Sequence, residues 1–144
     1  MSFFNLFKNE KKKDIDYKKI YELLAIFTEV SLHMPLRINK DLLQDKNKYL
    51  VVFGYFFGAM DYISQNRNLD DINTIAIFTT YLSTTFTNNN YKSATELCIL
   101  VMDLSQTVDG GRYMDAGGNT FKRWVKGESM APIELHKLLK DKGV

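Results

Sequence analysis

Residues 49–63 read YLVVFGYFFGAMDYI, the most apolar stretch of a 144-residue chain. Drawn as a helix, it carries apolar side chains nearly all round, with Gly54 and Gly58 four residues apart. A helix that is hydrophobic all round is one that neighbours cover on several sides. The stretch falls short of the roughly 18 uninterrupted apolar residues of a membrane span, and Asp61 lies inside it. The expectation is a buried central helix over about residues 46–65. Asp45 can cap it, and the turn signal Asn66-Arg67-Asn68 closes it.

Upstream, Asp14 or Asp16 can cap a helix running to about Met34. Its Tyr17, Ile20, Leu24 and Phe27 step at three and four residues, with Leu23 and Val30 broadening the stripe. Pro35 should stop it, because the residue before a proline avoids helical geometry. A loop with a short helical turn around Leu42 and Leu43 then leads to the central helix.

Downstream, residues 72–86 (INTIAIFTTYLSTTF) set propensity against pattern. Ile and Thr favour strand, but alternation fails at Ile77-Phe78 and at Tyr81-Leu82. The spacing Ile72, Ile75, Phe78, Leu82, Phe86 is helical, so a helix capped by Asp70 or Asp71 is predicted. After the Asn88-Asn89-Asn90 turn, Ser93 and Glu96 form a capping box for a helix bearing Leu97, Leu100, Val101 and Leu104. DGGRYMDAGGN, 109–119, reads as a helix start or kinked helix packed closely through Gly117 or Gly118. Phe121, Trp124 and Val125 continue its apolar face, with Gly127 as the C-terminal cap and Pro132 starting a last short helix.

Turn signals about every twenty residues suggest consecutive antiparallel helices. The fold class is therefore all-α, a compact antiparallel bundle of five or six helices around the central one. Residues 1–13 form an N-terminal arm, and 14–144 a single helical domain.

Hydrophobic residues at 45% and charged residues at 25% exclude a disordered chain. The net charge of +2 is unevenly spread: residues 1–20 and 122–144 each carry about +3, which leaves about −4 for the body. Basic ends on an acidic body argue against a nucleic-acid binder. One cysteine, Cys98, allows no internal disulfide and reads as a small core residue. The arm's Phe3, Phe4, Leu6 and Phe7 precede its lysine run, the reverse of a secretion signal, so the expected location is cytoplasmic.

Chemistry-bearing patterns are scarce. There is no zinc helix, di-iron pair, nucleophile elbow or dinucleotide fingerprint. No catalytic residue, metal or cofactor is assigned. Glu29 and His33 share a helix face without a second pair of ligands at a convincing spacing. On the central helix Gly54, Gly58, Asp61 and Gln65 form one stripe at spacings of four, three and four. Two mid-helix glycines, each costing about 1 kcal/mol against alanine, have two readings. One is the close approach of a second helix. The other is a groove floored by Gly54 and Gly58 and flanked by Tyr55, Asp61 and Tyr62.

The function expected is a non-catalytic helical protein–protein interaction module: an adaptor, regulator or inhibitor of another protein. Arg112, Tyr113, Arg123 and Trp124 are of types enriched at binding hot spots and form its expected contact surface. Two alternatives stand beside it. One is weak membrane-surface association through the Phe/Lys-rich arm. The other is a small-molecule binder or enzyme using a groove near Asp61. Oligomeric state is not legible at this level.

Overall fold

The computed structural model describes residues 15–128 and 133–141, and these form six α-helices and no strand. The N-terminal arm and Pro132 lie outside the described residues. The helices are α1 (Tyr17–Ile38), α2 (Lys46–Arg67), α3 (Asp71–Phe86), α4 (Tyr91–Ser105), α5 (Val108–Val125) and α6 (Glu134–Lys140). A single 3₁₀ turn, Leu42–Gln44, joins α1 to α2. The all-α bundle expected from the sequence is the fold observed.

Four helices start where an Asp or Asn side chain can take up a free backbone N–H of the first turn. Asp16 accepts from Lys19 N at 3.1 Å, Asp45 from Asn47 N at 3.0 Å, and Asp70 from Asn73 N at 2.7 Å. Asn90 accepts from Ser93 N at 3.0 Å. The last bond corrects the expected capping box, because α4 begins a turn earlier and Ser93 lies inside it. Asn88 and Asn89 hold φ of 53° and 65°, a left-handed turn that Asn tolerates, and so Asn90 is left to cap. Gly127, at φ 77°, ends α5 as predicted, with Glu128 N donating to Arg123 O at 2.8 Å.

Pro35 does not stop α1. The helix continues to Ile38, and Asn39 N donates to the Pro35 carbonyl at 2.9 Å. Proline removes one donor but its φ is already helical. Its ring is buried, so packing holds the last turn in place.

One core draws on every helix. In α2 six consecutive residues, Val51 to Phe56, are buried, as a helix covered on all sides requires. Phe27 of α1 stacks on Tyr55 at 5.7 Å and meets Phe121 edge-on at 5.1 Å. Along α3, Ser64 meets Thr74, Phe57 meets Phe78 and Phe53 meets Phe86, so α2 and α3 run antiparallel. The face of α3 that turns inward is Thr74, Ile77, Phe78, Tyr81 and Leu82. Ile72, expected on that face, is 80% exposed, since it lies about 200° around the helix from the buried Thr74. On α4, Ala94, Cys98 and Val101 are buried, while Leu100 is exposed.

Candidate functional site

The glycine stripe of α2 is a packing seam, and the residue that fills it comes from α5. A Cβ on Gly58 would overlap the Met114 carbonyl, and one on Gly117 would overlap the Tyr55 carbonyl. Gly118 lies 3.1 Å, by the same construction, from the Gly58 oxygen, and Gly54 stands 3.2 Å from the Tyr113 Cβ. Gly54 faces Tyr113, Gly58 faces Met114 and Gly118, and Tyr62 faces Phe121. Residue numbers rise together, so α2 and α5 run in the same direction with backbone against backbone. Glycine is required at Gly58 and Gly117, one on each helix, because any side chain there would hold the two backbones apart.

That packing covers Gly54 and leaves Tyr55 out of the expected groove, whereas Gly58, Asp61 and Tyr62 still border a cleft. Tyr55 is fully buried, stacked on Phe27, and flanks no opening. Its hydroxyl and the Ser31 Oγ are buried without a hydrogen-bond partner of good geometry. Burial pushes the Tyr55 hydroxyl up to about 12, offset in part by the nearby Ser31 and Thr120 hydroxyls. Tyr81 is buried too, but its hydroxyl pairs with Thr28 Oγ1, which itself donates to Leu24 O at 2.6 Å.

Beside the seam lies an open cleft of about 270 Å³ lined by Asp61, Tyr62, Gln65, Asp115 and Asn119, with Gly58, Gly111 and Gly118 beneath. Asp61 accepts from Gln65 Nε2 at 2.6 Å. Burial raises its pKa, the Gln65 bond lowers it, and Asp71 raises it further. A second hollow of about 610 Å³ lies where α2 and α5 begin, lined by Asp45, Lys48, Leu50, Thr107 and Asp109 among others. Asp45 and Thr107 already serve there as N-caps. Among the described residues no three His, Cys, Asp or Glu side chains gather as metal ligands would.

The four residues of α5 expected at a contact surface do not form one surface. Arg112 and Arg123 are eleven residues apart, about three helical turns, and both are exposed. Tyr113 and Trp124 keep the same spacing one residue on, which turns them toward the core. Tyr113 is only 3% exposed, which removes it from any contact face. Trp124 is half-buried against Phe27 at 5.5 Å and Phe121 at 5.8 Å. Arg112 lies over the Tyr113 ring at 5.8 Å, and Arg123 reaches Glu134 of α6 at 3.8 Å.

The most apolar exposed feature is elsewhere. Along the outer side of α1, Ile26, Val30, Met34 and Ile38 recur every four residues, with exposures of 49%, 36%, 47% and 59%. The row spans twelve residues, about 18 Å at the helical rise. Beside it runs a second exposed row, Ala25, Glu29, His33 and Arg37. The sequence pattern assigns Val30 to the buried stripe and ends the helix at Met34, short of Ile38. The signal was present: α1 holds more large apolar residues than its inner face can bury.

Neither a family model, a curated protein nor a solved structure matches this chain. Among the described residues no helix is long and apolar enough to cross a membrane.

Proposed function

We propose that this protein is a non-catalytic helical interaction module that acts in the cytoplasm by binding a protein. The observation that carries the reading is the exposed row Ile26, Val30, Met34 and Ile38 on α1. Isolated apolar residues on a surface are ordinary, but a contiguous apolar row marks an association surface. Burying such a row yields roughly 25 cal/mol for each Å² removed from water, and the fold does not use it. The groove alternative keeps an open cleft beside Gly58, Asp61 and Tyr62 but loses Gly54 and Tyr55 to the packed seam and core.

A photo-crosslinking side chain at position 34 tests the reading, with the same group at the exposed polar position Asn119 as control. A protein adduct at 34 that is absent at 119 is the expected result. Equal or absent adducts at the two positions would overturn it.

A further inference from the structure

We infer that the occupant of the α1 row is a second copy of this chain, its α1 crossing the first in a two-fold pair. This rests on reading α1 as an association surface, and it names the partner.

Geometry comes first. Ile26, Val30, Met34 and Ile38 form an i±4 ridge, and Ala25, Glu29, His33 and Arg37 form the next ridge, with a groove between them. Ridges of this kind from two helices interdigitate at a crossing angle near −50°, the commonest helix-packing class in globular proteins. A two-fold axis level with His33 sets Val30 of each copy between Met34 and Ile38 of the other. The same surface then serves both partners, as an isologous contact requires.

Charge gives the independent argument. The polar ridge runs from Glu29 to Arg37, eight residues on, with His33 midway. Neither Glu29 nor Arg37 has an ion-pair partner among the described residues, whereas Lys18 pairs with Glu22 at 4.0 Å on the same helix. Antiparallel pairing places Glu29 of each copy near Arg37 of the other, two attractive pairs at once. A parallel pair would set Glu29 beside Glu29 and Arg37 beside Arg37. The row is thus complementary to its own reverse.

A contact made by one helix pair belongs to the small end of specific interfaces, below about 1,200 Å² in total, where association is weak and reversible. Sedimentation equilibrium of the full chain across the micromolar range is the test. The expected result is a monomer–dimer equilibrium that Val30→Asp abolishes without loss of helical circular dichroism. Glu29→Arg should weaken association about tenfold, and adding Arg37→Glu to it should restore most of the loss. A monomer throughout overturns the inference, as does a dimer that survives Val30→Asp or one lost only when residues 1–13 are deleted. If the chain is monomeric yet position 34 crosslinks a different protein, the interaction-module reading stands and the second-copy assignment falls.

Discussion

Two rows of residues four apart behave in opposite ways. On α2, Gly54 and Gly58 have no side chain to bury, yet they sit in the seam with α5, Gly58 directly against the Met114 backbone. On α1, Ile26, Val30, Met34 and Ile38 are large and apolar, yet they stand in water. The difference teaches that burial follows how closely two backbones can approach, as well as how apolar the residues are. Close approach is worth more than the local helical cost of glycine when it brings the buried run Val51–Phe56 into a covered position. The α1 row is apolar surplus, which the fold can lose without collapsing.

The largest effect should come from the seam. Gly58→Leu has to displace the Met114 backbone, not the flexible end of a side chain. Overpacking ordinarily costs about 1–3 kcal/mol, and a backbone obstacle on the far helix should place this variant at or beyond the upper limit. A fall of about 10 °C or more in the thermal midpoint is expected. An unchanged midpoint would show that α2 and α5 are not in backbone contact.

A smaller effect separates two buried tyrosines. Tyr81→Phe removes a hydroxyl paired with Thr28 and should cost about 1 kcal/mol. Tyr55→Phe removes a buried hydroxyl without such a partner and should be neutral or stabilising by up to about 1 kcal/mol. Equal losses in denaturant titrations of the two variants would mean that the Tyr55 hydroxyl is bonded after all.

Smaller still is the effect of Asp61 at the seam's edge. Its folded pKa lies above its unfolded value, mainly through burial. The native state therefore holds this proton more tightly, and stability is lost as pH rises through the unfolded and then the folded value. Asp61→Asn should gain a few tenths of a kcal/mol at pH 7, a figure kept low because the group is partly solvated. The gain should vanish in acid, where the native carboxyl is neutral too. A gain that persists below the ordinary carboxylate range would assign the effect to something other than charge.

The smallest change in stability belongs to the α1 row. Val30→Asp should leave the unfolding free energy within about 0.5 kcal/mol, as for surface positions in general. A loss of several kcal/mol would mean that the row is part of the core and that the contrast with α2 fails.

Much of this was legible in the sequence. The all-α class, the central helix and its Asp45 cap followed from apolar pattern and turn residues, and so did the helix over the Ile/Thr-rich stretch. The two glycines of α2 announced a seam because their helical cost needed a reason. Close packing through Gly117 or Gly118 was legible too, but that their partner is the glycine stripe of α2 was not, since local propensity cannot show which backbone will fill the space. Pro35 misled for a similar reason, as its local preference was outweighed by the burial of its ring. Tyr113 and Trp124 have the residue types of a contact surface, but a one-residue offset from Arg112 and Arg123 turns them inward. The α1 row was missed because a single-face reading of that helix assigned Val30 to the core and ended before Ile38.

The most direct measurement of what the α1 row does uses one substitution. The register that pairs Glu29 with Arg37 of a second copy sets His33 opposite its own counterpart. His33→Cys should then form a disulfide-linked dimer under mild oxidation at micromolar concentration, while the buried Cys98 takes no part. Asn119→Cys, also exposed but on α5, should remain monomeric. If the two variants crosslink to the same slight extent on a non-reducing gel, the α1 row does not meet itself, and the assignment is contradicted.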